Sequence, residues 1–215
     1  VLASRCLAHR RRTHSSVIDG AACGVVAALR DACRDLDHEQ VVRHVDRLVG
    51  WGEGLTPAGD DFLIGLIAGL DALVQGQQRR HELLGAIAQA LGRAAHRTTP
   101  IAAHYLRLAA RGHYAQPLVD LRNALLCEDQ AALVEAALHQ ALAVGATSGA
   151  DTVCGVSSAL QAWLCDPSIG KAASNVMASP STATVTMGIV AQGSLVSERR
   201  TVTMSVATPL MFGPS

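Results

Sequence analysis

Between residues 16 and 164, apolar side chains recur at steps of three and four in a background of Ala and Leu with few strand formers, which is the spacing of one helix face. The pattern predicts helices over 18–36, 39–49, 60–74, 80–93, 100–110, 116–126, 128–144 and 150–164. Ser16, Asp37, Thr56 or Gly59, Thr99 and Ser148 stand where N-caps belong, and Pro100 follows Thr99 at a first-turn position that needs no backbone donor. After Pro167 the periodicity changes. Ser, Thr, Val and Met replace Ala and Leu, and "ATVTMGIVAQG" and "RRTVTMSVATPL" alternate as strands do, with "GSLVSE" between them as a hairpin connection. An isolated hairpin is marginal in water, so this one is expected to pack on the helices or on a partner. The fold class expected is therefore mainly α: a compact multi-helix domain with a short β-rich C-terminal segment. We expect a helical domain over 1–167 and a strand-like appendage over 168–215 packing on it.

Composition narrows the function. The chain has 215 residues, about half of them apolar, enough to bury a sizeable core. Eighteen basic residues balance eighteen acidic ones, so no broad field exists to hold nucleic acid or an anionic membrane. A small molecule or another protein is the expected partner. The longest apolar run, 62–70, ends at Asp71 and is far shorter than the roughly 20 residues of a membrane span. Six cysteines are scattered with no C-x-x-C pair, which suits small hydrophobes in a reducing cytoplasm. Residue 1 is Val and no apolar signal follows it, so a fragment or processed chain is expected. The basic run "RCLAHRRR" reads as a solvated arm.

Three helix starts carry the candidate chemistry. In "GWGEGLTPAGDDFLIGLIAGL", Gly50, Gly52 and Gly54 allow a tight turn and close backbone approach to a ligand, and Thr56 and Pro57 lead into a helix with unpaired first amides. Such an end attracts anions. Asp60 and Asp61 are either first-turn acids complementing the helix dipole, hydrogen-bond acceptors, a base, or oxygen ligands for a hard cation such as Mg²⁺. No other cofactor is indicated. "GATSGADTVCG" repeats the theme with Thr147, Ser148, Gly149 and Asp151. In "HRTTPIAAHYLRLAARGHY", Thr98 and Thr99 start a helix on which His104 and Arg107 share a face, while Tyr105 and Leu106 are expected in the core. Arg107 offers a fork for a carboxylate or phosphate. No G-x-S-x-G elbow, H-E-x-x-H pair or Walker loop is present.

Taken together, "GLTPAGDDFLIG", "YLRLAARGHYAQPL" and "GATSGADTVCG" resemble the AllH family, a subunit of the heteromeric oxamate carbamoyltransferase of anaerobic allantoin breakdown in bacteria. The resemblance covers about residues 50–164. It implies a reaction of carbamoyl phosphate with oxamate giving oxalurate and phosphate, run physiologically toward carbamoyl phosphate, with other carbamoyltransferase subunits as partners. Three positions depart from the family pattern: Glu53 where proline is common, Ala58 where serine is frequent, and Ala146 where histidine is frequent. Family members also usually carry a β-rich region ahead of the helical half, whereas the strand-like residues here follow it.

The expected site has Gly52, Gly54, Thr56, Gly59, Thr99, His104, Arg107, Thr147, Ser148 and Gly149 binding the small anionic substrate. Asp60, Asp61 and Asp151 would orient its amide or accept its proton. The competing expectation is a noncatalytic metabolite-binding or assembly subunit.

Overall fold

The computed structural model describes residues 20–74, 76–127 and 131–164 and two short segments, 184–187 and 200–203. Eight helices follow one another: α1 (Gly20–Asp35), α2 (His38–Leu48), α3 (Ala58–Leu73), α4 (Gln78–Ala94), α5 (Pro100–Ala109), α6 (Gln116–Leu126), α7 (Ala131–Leu142) and α8 (Ser148–Leu164). The domain is mainly helical, as the periodicity predicts, and each helix overlaps its expected span. A strand pair, β1 (Thr184–Met187) and β2 (Arg200–Thr203), runs antiparallel with Thr184 opposite Thr203. The remainder of the expected β-rich segment, the boundary at 167/168 and the cap expected at Ser16 lie outside the described residues.

Two of the expected caps form. The Asp37 side chain accepts the Gln40 amide to start α2, and Thr99 accepts the Ala102 amide to start α5. Thr56 and Ser148 act otherwise. Pro57 occupies the cap position of α3, and Ser148 is already the first helical residue of α8, which leaves both hydroxyls for tertiary contacts.

Helices α3 and α8 form the centre of the fold. Nearly all of α3 is buried, including Phe62, Leu63, Leu66 and Leu70, because it is the apolar run of the sequence and is covered on several sides. The two helices run side by side in the same direction, with residue 65 against 152 and residue 69 against 156 and 159. Two glycines bring the backbones together. A methyl group added to Gly65 would lie 1.9 Å from the Thr152 carbonyl oxygen, and one added to Gly155 would lie 2.0 Å from that of Phe62. Because the pair is parallel, both positive helix ends lie at the same end of the domain, where Asp60, Asp61 and Asp151 in the first turns offset them.

The other helices close around this pair. α1, α2, α4 and α5 complete the larger core with Leu29, Val45, Leu83, Ile87 and Leu106, and α6 and α7 build a second cluster against α8 around Leu121, Leu138 and Val153. Cys33 belongs to the larger core, and burial pushes its thiol up to about 12, as a cysteine used for its hydrophobic surface requires. Tyr105 departs from expectation: Leu106 is fully buried, but Tyr105 is 48% exposed, because it falls on the outer face of α5.

Candidate functional site

The two loops that look alike in sequence meet in space. The Thr56 and Ser148 hydroxyls are 2.9 Å apart, and both act on the Asp61 carboxyl, which belongs to the first turn of α3. This meeting follows from the parallel packing of α3 and α8, which places their first turns level. Asp61 is 7% exposed, and its Oδ2 is buried without a hydrogen-bond partner among the described residues. Burial pushes its carboxyl up to about 6. The Ser148 and Thr56 hydroxyls oppose that rise, and the negative charge of Asp60 adds to it. Asp151, 1% exposed, lies in the first turn of α8, where its amide donates to the Thr147 carbonyl.

Asp60 is fully buried but both of its oxygens are engaged. Oδ1 accepts the Gly50 amide at 2.9 Å, and Oδ2 accepts the Thr98 hydroxyl at 2.5 Å. Burial raises its carboxyl, and the two hydrogen bonds hold that rise back. Asp60 thus ties the glycine turn and the α5 entrance to α3. Next to it, the Thr99 hydroxyl donates to the Leu55 carbonyl at 2.5 Å, which fixes the outer limb of the same turn. Gly50 and Thr98, read in the sequence as part of the turn and of the helix start but not among the expected site residues, are the two partners of Asp60. The only signal for them in the chain is the doubled threonine before Pro100 and the first of the alternating glycines.

Other expected residues fall in different places. Gly52 and Gly54 are exposed in the turn with φ of 107° and 96°, a region open to glycine, so the turn needs them for its shape. Gly59 and Gly149 are buried packing positions: a methyl group would meet the Leu48 carbonyl oxygen at 2.1 Å in the first case and that of Ala141 at 2.2 Å in the second. His104 and Arg107 are exposed on α5, and no hydrogen bond or ion pair joins either to the Asp61 cluster among the described residues. The amides at the two helix starts are mostly used within the chain. Gly59 donates to Trp51, Asp60 and Asp61 to Pro57, and Gly149 to Val144.

The cluster therefore offers carboxylate and hydroxyl oxygens rather than free amides. Among the described residues no three His, Cys, Asp or Glu side chains lie together as a metal site, and each oxygen of Asp60 already accepts one hydrogen bond.

Residues 48–160, a little over half of the chain, match the family described as oxamate carbamoyltransferase subunit AllH. The chain belongs to the AllH family. The AllH match contains both loops, the Asp60 and Asp61 pair, α3 to α7 and most of α8, so the parallel helix pair and the loops at its head lie largely within the family's segment of this chain. The family description also places this AllH chain among the subunits of a multi-subunit enzyme. No solved structure matches the chain. No described helix is long and apolar enough to cross a membrane.

Proposed function

We propose that the chain is the substrate-positioning subunit of a cytoplasmic oxamate carbamoyltransferase, and that Asp61 holds and deprotonates the reacting amide. The observation that supports this reading is the buried, unpartnered Oδ2 of Asp61, a residue on which the Thr56 and Ser148 hydroxyls act where the two family loops meet. Carbamoyl phosphate, oxamate and oxalurate all carry a primary amide. Its N–H groups match a carboxylate acceptor, and its carbonyl oxygen matches a hydroxyl donor.

In the direction of transfer, the oxamate nitrogen forms a bond to the carbamoyl carbon, the bond from that carbon to the phosphate oxygen breaks, and phosphate leaves. The nitrogen gives up one proton. An amide nitrogen is a poor nucleophile, so a base in contact with it lowers the barrier. Asp61, held near pH 6 by burial, is ionised at neutral pH and is a stronger base than an exposed carboxylate. Thr56 and Ser148 fix its orientation, and Asp60 fixes the turn around it. The head of the pair is acidic, so positive charge for the phosphate and carboxylate groups comes from another subunit in this reading.

The second reading, a noncatalytic metabolite-binding or assembly subunit, is favoured by the engagement of the Gly59, Asp60, Asp61 and Gly149 amides within the chain, which leaves no ready anion cradle at these helix ends. Phosphate release from carbamoyl phosphate plus oxamate, measured for the chain alone and with the other carbamoyltransferase subunits, separates the two. The proposal expects Asp61→Asn to lower turnover of the assembled enzyme by about 100-fold or more, within the usual range for losing a general base. Unchanged turnover would leave only the noncatalytic role.

A further inference from the structure

From residue 83 to residue 119 the chain contains no Asp or Glu, although acids and bases balance overall. The same interval carries Arg93, His96, Arg97, Arg107, Arg111 and His113, all exposed. Arg97 pairs with Asp46, whereas Arg93, Arg107 and Arg111 pair with no carboxylate among the described residues. On α5, which carries Arg107, an apolar stripe is exposed as well. Leu55 is 72% exposed, and on α5 Ile101 and Tyr105 are 45% and 48% exposed. Ile101 and Tyr105 are one turn apart and share a face, and the Thr99 hydroxyl bond to the Leu55 carbonyl sets Leu55 at the start of that stripe. The stripe begins at the turn that Asp60 anchors.

We infer that the α5 face is the docking surface for another subunit of the enzyme, one presenting an apolar centre rimmed by carboxylates. Large exposed apolar side chains grouped together mark a protein interface, and exposed Tyr and Arg on one helix are the residue types such interfaces favour. The surrounding charge selects the occupant. Residues 1–19 carry Arg5, Arg10, Arg11 and Arg12 against Asp19, and residues 165–215 carry Lys171, Arg199 and Arg200 against Asp166 and Glu198, so neither stretch complements a basic surface. A second copy meeting this face through a twofold axis would set arginine against arginine. An acidic partner is attracted instead.

The test is binding, measured by calorimetry and by light scattering after gel filtration, between this chain and the purified other subunits at low and high salt. Arg107→Glu together with Arg111→Glu should weaken binding about tenfold or more and flatten its salt dependence, and Ile101→Asp should weaken it at every salt concentration. Leu133→Asp, at an exposed position on α7, should bind as the wild type does, and so should Asp61→Asn, which separates this proposal from the catalytic one. Circular dichroism confirms that each surface variant is folded. Undiminished binding by the α5 variants, equal weakening by Leu133→Asp, no complex with the wild-type chain, or self-association of the chain that Ile101→Asp removes would each overturn it.

Discussion

Replacing Asp61 with Asn isolates the cost of burying its charge. The carboxyl moves from 3.8 in an open chain to about 6 in the folded domain, which corresponds to about 3 kcal/mol at full ionisation. The folded value is the higher one, so the folded state holds the proton more tightly. Stability from this group is complete below pH 3.8, falls as pH rises, and is lost once pH passes about 6. Working through the two ionisations, roughly half of the 3 kcal/mol has gone by pH 5, and the rest, about 1–2 kcal/mol, is lost between pH 5 and pH 8. For a chain of this length that remainder is a fall in Tm of about 3–6 °C. Asn keeps the shape and an oxygen for Thr56 and Ser148, and it has no charge to bury. Urea unfolding or differential scanning calorimetry of both proteins at several pH values gives the contrast: the wild type should lose about 1–2 kcal/mol more than Asp61→Asn from pH 5 to pH 8. Parallel curves over that interval would show that Asp61 is not the buried, proton-retaining carboxylate described, and its proposed role as a tuned base would go with it.

Gly65→Ala and Gly155→Ala force a methyl group into a backbone carbonyl across the α3–α8 contact, so each should cost about 3 kcal/mol or more in denaturant unfolding, whereas Gly85→Ala, with open space around it on α4, should be neutral or slightly stabilising. Ser148→Ala and Asp61→Asn share one hydrogen-bonded cluster. Their effects on oxamate affinity, measured by calorimetry singly and together, should depart from additivity by more than about 0.5 kcal/mol, and strict additivity would mean that the loops do not share a ligand. Mg²⁺ titration should leave the Tm of the chain unchanged, since Asp60 has both oxygens committed; a rise in Tm that Asp61→Asn removes would reinstate a cation at the acidic pair.

The helices were legible because apolar period and capping chemistry act locally: Asp37 and Thr99 cap where a single turn of sequence says they should. The likeness of the two glycine- and hydroxyl-containing loops was also legible, and the structure brings the two together at one end of the α3–α8 pair. What the chain could not show locally was the partnering. Whether Thr56 and Ser148 cap their own helices or turn to Asp61 depends on the parallel register of α3 and α8, which Gly65 and Gly155 set across a large sequence separation. Gly59 and Gly149 read like ligand-facing glycines for the same reason: a residue that must be small to admit a neighbouring backbone looks the same in sequence as one that must be small to admit a ligand. Tyr105 was misplaced because periodicity places a side chain on a face but does not say how far the neighbouring helices reach around it.

The Thr56 and Ser148 hydroxyls that flank Asp61 are 92 positions apart along the chain. Their contact exists only after α3 and α8 have found each other across nearly half the polypeptide, a loop closure whose entropy must be met before the helix pair returns any stabilisation. In a helical protein, where most contacts are local and form quickly, this makes the head of the pair one of the last places to assemble. It also makes it one of the least able to open alone, because the glycine contacts that align it lie in the best-buried helices. Hydrogen exchange of the Asp61 and Gly65 amides should therefore follow global unfolding rather than loop fraying, so that the geometry around Asp61, once formed, lasts as long as the fold itself.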